Sequence, residues 1–288
     1  MPVLYVVSTP IGNLSDLSPR ALEILKNVDG VFCEDTRHTL SLLSHFNLKQ
    51  KLYRLDQHST ERDIRHYCEV IKSSHSMAIV SDAGTPAVSD PGSELVNECL
   101  NQGIVVSPVP GASAVTALLS VSGFGGNHWA FRGFFPRKQS DRLDEIRQVL
   151  TQDMASVILW FESPQRVSDT LELFSHQCPG AQMVAGKELT KKFEKIFSGT
   201  ALSIYEQIKL EIKQEGAIGE WVFALKVPDI SKKIDSIADD NELENWIHLL
   251  LDFDLKPSEI AKKVSQYFGI SKNEIYDKVL AIKKSRGC

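Results

Sequence analysis

Three short segments hold small or polar residues that let a ligand come close to the backbone. Ser81 through Gly92 carries Asp82, Gly84 and Thr85 ahead of Asp90, Pro91 and Gly92. The Asp82 carboxylate can accept hydrogen bonds or face a cation, Gly84 leaves room for close backbone approach, and Thr85 adds a hydroxyl. Asp90 and Pro91 have a structural explanation as a helix start; Asp82 to Thr85 does not, so a binding role is expected there. Ser8-Thr9-Pro10-Ile11-Gly12-Asn13-Leu14 offers backbone groups to a ligand, or is a plain turn built from common turn formers. Val109-Pro110-Gly111-Ala112-Ser113-Ala114 opens a helix with small residues, which leave its first amides accessible or let it pack closely. Glu34-Asp35-Thr36-Arg37 is the fourth candidate. Asp35 or Thr36 would cap a helix, but Glu34 and Arg37 exceed what a cap needs, so a substrate role is expected.

Other chemistries lack their residues. There is no Gly-x-Gly-x-x-Gly dinucleotide fingerprint and no phosphate-binding Gly-x-x-x-x-Gly-Lys-Ser/Thr loop. The 5 cysteines are odd in number and scattered, without a Cys-x-x-Cys pair, and the 8 histidines show no ligand spacing with them. Reduced thiols and no metal are expected. Arg132, Arg137, Lys138 and Arg142 lie close together among Phe131, Phe134 and Phe135. Basic groups can meet phosphates while rings stack on unpaired bases; core rings beside a solvated loop is the competing account.

These loops need a scaffold that presents strand ends. Val3–Val7, Val31–Cys33, Met77–Val80 and Ile104–Val106 read as buried parallel strands. Ser18-Pro19 starts a helix that stops between Asn27 and Gly30, Ser59-Thr60-Glu61 starts one running to Lys72, and Asp90-Pro91 starts one ended by Gly103. The rhythm predicts an open α/β sheet with its crevice at the strand C-termini. Ser122 to Asn127 is a glycine-rich break. Beyond it Trp129–Phe131, Ser156–Phe161, Gln182–Ala185 and Trp221–Val227 read as strands, and Leu143–Leu150, Pro164–Ser175 and Leu202–Ile212 as helices. A polar linker, Asp229 to Asp240, leads to three short helices at Leu243–Leu251, Ser258–Tyr267 and Lys272–Lys284. The expected domains are 1–122, 123–228 and a tail module over 229–288.

A composition with 42% hydrophobic and 24% charged residues suits a globular chain, and no apolar run is long enough to span a membrane. Met1 to Tyr5 reads as a first strand rather than a charged leader, so a cytoplasmic protein is expected. The net charge of −5 divides unevenly: residues 256–288 carry +5, leaving −10 elsewhere. A basic tail on an acidic body suits a polyanionic partner, or is a solvated lysine-rich face.

The loops Thr9 to Asn13, Glu34 to Arg37, Ser81 to Gly92 and Pro110 to Ala114 together resemble the signature blocks of the tetrapyrrole-methylase superfamily. The likeness is strongest to the branch that methylates small-subunit ribosomal RNA. It continues through Phe131 to Pro136, Phe161 to Pro164, Glu188 to Lys191 and Gly219 to Val222, and so covers residues 1 to about 228 in order. Lys187 stands before Glu188 where that family usually has arginine, which keeps the charge but loses the bidentate fork. The resemblance implies a two-domain fold of the class III methyltransferase type with a small helical module, using S-adenosylmethionine in a cleft. Pro10, Asp82, Gly84, Thr85, Ser113 and Ala114 would line the cofactor, with Phe161 and Ala224 added from the second domain. It further implies a homodimer and 2′-O-methylation of a cytidine in the decoding region, acting on the RNA or the small subunit.

In-line methyl transfer needs donor and acceptor aligned near ~3 Å and a group to take the hydroxyl proton. Glu34, Asp35, Glu188 and Lys191 are the candidates for that group, and the sequence does not choose among them. Arg37, Arg132, Arg137, Lys138, Lys262 and Lys263 are the expected RNA contacts. Methylation of a tetrapyrrole ring carbon and a non-catalytic RNA-binding factor on the same fold are the alternatives. The basic segments argue against the former, and the intact Asp82-to-Gly92 loop against the latter.

Overall fold

The computed structural model describes residues 1–151, 156–227, 240–252, 255–268 and 270–285. The chain divides into two compact units, Met1–Val121 with Gly186–Lys195, and Ser122–Ala185 with Ile196–Cys288. The first unit thus ends at Val121 and takes in the segment 186–195 from the second stretch of chain.

In the first unit β1 (Val3–Val7), α1 (Pro19–Asn27), β2 (Val31–Cys33), α2 (Thr36–His45) and β3 (Leu52–Arg54) are followed by α3 (Glu61–Lys72), β4 (Ser76–Val80), α4 (Ser93–Asn101), β5 (Val105–Val109) and α5 (Ala114–Val121). The strands run in the order β3-β2-β4-β1-β5, all in parallel pairs. Every residue of β4 is buried, as a central parallel strand requires. Alternation along the strands builds two cores. Leu4, Phe32, Met77 and Ile79 meet Ile64 and Ile71 of α3 and Leu95 of α4. Val7, Cys33, Ala78 and Val80 meet Ala21 and Leu25 of α1 and Leu43 of α2 on the other face. The connection after β1 therefore covers one face and the one after β4 the other. Their adjacent C-terminal ends are the switch point where open α/β sheets take ligands.

Helix starts follow local chemistry. Ser18 Oγ accepts the Ala21 N–H at 3.1 Å with Pro19 in the first turn, and Thr60 and Asp63 form a reciprocal capping box. Several starts differ from expectation, as α6 does in beginning at Gln139 rather than Leu143, and two differ for a visible reason. Gly92, at φ +125°, precedes α4 where Asp90 was expected to cap it, and no side chain caps that helix. The helix expected from Pro164 begins at Val167, because the Ser163 carbonyl closes a turn by accepting the N–H groups of Arg166 and Val167 at 3.0 and 3.1 Å.

The second unit contains β6 (Trp129–Phe134), α6 (Gln139–Thr151), β7 (Val157–Glu162), α7 (Val167–Gln177), β8 (Gln182–Lys187), β9 (Lys195–Thr200), α8 (Ala201–Glu215) and β10 (Trp221–Lys226). Its sheet order is β6-β7-β10-β8-β9, with β6 parallel and β10 antiparallel to β7. Trp160 and Phe223 stack at 5.3 Å beside Phe135 and Phe174, and Ile146, Leu171 and Ile204 from the three helices close over them. Three further helices, α9 (Asp240–Asp252), α10 (Pro257–Phe268) and α11 (Lys272–Ser285), surround their own core of Leu243, Ile247, Ile260, Val264, Ile275 and Val279. The expected linker over 229–239 lies outside the described residues, as do Gly269 and the Lys263 side chain.

Candidate active site

The loops after β1 and β4 are bonded into one piece. Thr9 and Gly84 exchange backbone hydrogen bonds of 2.8 and 3.2 Å, and Thr9 Oγ1 donates to the Ser81 carbonyl at 3.0 Å. Ser81 Oγ donates to the Gly84 carbonyl at 3.0 Å, and the Ser8 and Thr85 hydroxyls share a bond of 2.9 Å. The Ser8 N–H reaches the Val109 carbonyl at 3.2 Å, tying in the end of β5. Gly84 stands at φ +90°, and a Cβ there would lie 3.4 Å from Ile11 Cγ2 and 3.8 Å from the Ala112 carbonyl. Its missing side chain keeps open a space bordered by all three loops. Ala87 and Ser89 also adopt positive φ, 65° and 62°, a local cost of about 1–3 kcal/mol each that recurs where a loop is held for function.

Four carboxyl groups of the loops after β2 and β4 do not behave alike. Asp35 caps α2 by accepting the Arg37 N–H at 2.8 Å and pairs with its guanidinium at 2.7 Å, which holds its carboxyl far below the usual range. The capping account is therefore right for Asp35, and Arg37, 90% exposed, is its partner. Asp82 Oδ1 accepts the Asp35 N–H at 3.3 Å. Glu34 is raised by burial and then by the charges of Asp82, Asp56 and Asp35. Asp90, read from sequence as a cap, is pushed up to about 6 by burial and by Glu34, despite a hydrogen bond from Ser81. No lysine or arginine pairs with Glu34, Asp82 or Asp90 among the described residues. Nor does any group of three His, Cys, Asp or Glu suited to a metal occur there. Unbalanced negative charge beside an open backbone cradle fits an organic ligand carrying positive charge.

The remaining candidates belong to both units. Pro10 is buried, while Ser113 and Ala114 are half-buried at the start of α5. Glu188 and Lys191 pair at 2.9 Å within the segment that joins the first unit. In the second unit Phe161 packs on Phe131 at 4.7 Å, and Ala224 lies fully buried within β10 opposite Leu159. Arg132 is paired with Glu145 at 2.7 Å and Phe135 is 1% exposed in the core, whereas Phe134 is 58% exposed. Arg137, Lys138 and Lys262 are exposed. Sequence reasoning missed Asp90 because Asp-Pro-Gly is also a helix-start pattern. It missed the Glu162–Arg166 pair because a four-residue spacing on one strand-turn does not reveal burial.

The family model of the tetrapyrrole (corrin/porphyrin) methylases matches residues 3–204. A ribosomal RNA small subunit methyltransferase I from a Hydrogenobaculum species is 41% identical over 223 residues, 77% of this chain and 94% of that one. The protein of that name from Haemophilus influenzae is 34% identical over 280 residues, 97% of this chain and 96% of its own. The solved structure of uroporphyrin-III C-methyl transferase from Thermus thermophilus, complexed with S-adenyl homocysteine, shares the fold at TM-score 0.51 and 15% identity, over 77% of this chain and 96% of that one. The chain belongs to the tetrapyrrole (corrin/porphyrin) methylase family, beside relatives named ribosomal RNA small subunit methyltransferase I.

Proposed function

We propose that this protein methylates the 2′-hydroxyl of a cytidine in the decoding region of small-subunit ribosomal RNA, using S-adenosylmethionine. The observation that carries the reading is likeness to relatives of that name across nearly the whole chain, tail helices included. S-adenosylmethionine supplies an activated methyl on a positively charged sulfonium. Asp82 and the backbone around Gly84, with Pro10, Thr85, Ser113 and Ala114, would hold it, and Phe161 and Ala224 are the further candidates.

A ribose hydroxyl is a poor nucleophile, so a carboxylate or lysine would accept its proton as the methyl passes from sulfur to oxygen. Among Glu34, Asp35, Glu188 and Lys191, Glu34 suits that role best. Burial and then the charges of Asp82, Asp56 and Asp35 raise its affinity for a proton, whereas Asp35 is held far below the usual range by Arg37. Arg137 and Lys138, with Lys262 and Lys263 of the tail, would meet phosphates. Arg132 would act mainly through Glu145, and Arg37 through Asp35. The reading includes a cytoplasmic homodimer that needs no metal.

The test is labelled-methyl transfer from S-adenosylmethionine to small subunits, and to their naked RNA, from cells lacking this protein. Label in a cytidine 2′-O-methyl group of the decoding region is the expected result. Label in uroporphyrinogen and none in RNA would replace the reading with ring methylation.

A further inference from the structure

We propose that Phe193, with Lys192 beside it, is a stacking contact for an unpaired base of the RNA substrate; this rests on the RNA-methylating reading above. Phe193 is 64% exposed, more than any other phenylalanine, tyrosine or tryptophan of the described residues. One exposed apolar side chain is ordinary on a protein surface. This one stands on a turn that is held in place. Glu188 and Thr190 take positive φ, 52° and 67°. The Lys191 N–H donates to the Glu188 carbonyl at 3.0 Å and the Glu194 N–H to the Lys191 carbonyl at 3.1 Å. Glu194, next to the ring, accepts the Thr190 N–H at 2.6 Å, and Lys191 pairs with Glu188 at 2.9 Å. Strained backbone braced on both sides of an exposed ring positions that ring; it does not shelter it.

The location adds the second argument. Residues 186–195 belong to the first unit, and the turn presses on the loop after β1. A Cβ on Gly12 would lie 2.2 Å from Lys191 Cγ and 2.9 Å from Thr190 Oγ1, so only glycine permits this approach. The ring is thereby carried by a turn docked on a loop of the proposed donor site, where a base beside the methylated ribose would have to be held. Chemistry supplies the third. Lys192 Nζ lies 5.4 Å from the ring centroid, so a ring face and a cation are offered together, on a body whose first 255 residues are net acidic. Local positive charge with an aromatic face is what unpaired nucleotides recognise, by stacking and by phosphate pairing.

Full-length protein is compared with Phe193→Ala, Phe193→Trp and Lys192→Gln for affinity to a small-subunit ribosomal RNA fragment. S-adenosylmethionine affinity, methyl transfer and sedimentation mass are measured alongside. Phe193→Ala should weaken RNA binding about tenfold or more, within the range for losing one base-stacking ring. Its salt slope, donor affinity and mass should not change, and Phe193→Trp should restore RNA binding. Lys192→Gln should instead flatten the salt slope by up to about 0.9, one phosphate contact. RNA affinity unchanged in Phe193→Ala would overturn the proposal. So would a change of mass in that variant with unchanged affinity per site, since the ring would then meet a second copy of the chain. Wild-type protein that binds RNA without methylating it would overturn the functional reading and leave the ring's contact standing on the binding data.

Discussion

Two groups of carboxylates in this molecule have opposite surroundings. In the second unit the Glu162 side chain has no exposed surface and its charge is answered. It pairs with Arg166 and accepts the Ser163 N–H and the Thr170 hydroxyl at 2.7 Å each. Arg166 in turn donates to the Phe135 and Pro136 carbonyls at 2.9 and 3.3 Å, fixing the start of the segment that bears Arg137 and Lys138. In the first unit Glu34, Asp82 and Asp90 repel one another, and what holds them is a strained loop. A balanced buried pair becomes costly when one partner is removed. An unbalanced cluster raises the energy of the ligand-free protein, and a cation entering it recovers that energy.

The comparison can be broken at either end. The largest effect is expected from Glu162→Ala, which strands the Arg166 guanidinium. Because Arg166 keeps 25% side-chain exposure, the loss should fall at the lower end of the ~3–5 kcal/mol typical of a broken buried pair. Urea unfolding measures it, and a loss below about 1 kcal/mol would make this an ordinary surface pair. Asp82→Asn keeps an acceptor for the Asp35 N–H and removes only charge. It should weaken S-adenosylmethionine binding by about 1.5–3 kcal/mol in calorimetry without lowering the urea midpoint, since it also relieves the repulsion on Glu34 and Asp90. An unchanged dissociation constant would make the loop structural.

Asp90→Asn should do the reverse of Glu162→Ala and stabilise the protein. The folded-state value of about 6 lies above the ordinary 3.8, so protonated Asp90 favours folding below about 3.8 and that contribution is lost as pH rises through about 6. The variant should therefore gain over wild type at pH ~8, by an amount on the order of 1 kcal/mol after allowing for partial solvation, and gain little at pH ~4. Equal gains at both pH values would show that the charge is already compensated. Smallest per residue is the tail. Replacing Lys262, Lys283 and Lys284 with glutamine should lower the RNA salt slope by about 0.9 or less for each phosphate contact removed. Donor affinity should not move, and coincident slopes would make those lysines a solvated face.

Much of this was legible in the sequence where local rules dominate. The helix starts at Ser18 and Thr60 and the β1 and β2 boundaries follow from residues within a few positions of each other. β3 and β9 were not anticipated. The first has three residues, and the second, Lys-Ile-Phe-Ser-Gly-Thr, is a half-exposed edge strand without an apolar run. At the site, Asp82 and Gly84 stood out by type, but Asp90 did not, because its raised proton affinity comes from residues far away in sequence. The docking of Thr190 and Lys191 on Gly12 is likewise a tertiary fact, invisible in spacing.

The most direct test of the unbalanced cluster as a cation site compares S-adenosylmethionine with its demethylated product, which lacks the sulfonium charge. A cation lowers the proton affinity of Asp90 and Glu34, so its binding should release protons near pH ~6 and strengthen as pH rises from ~5 to ~7.5. The neutral product should show a much shallower dependence in the same calorimetric titrations. Parallel pH profiles for the two ligands would contradict the account.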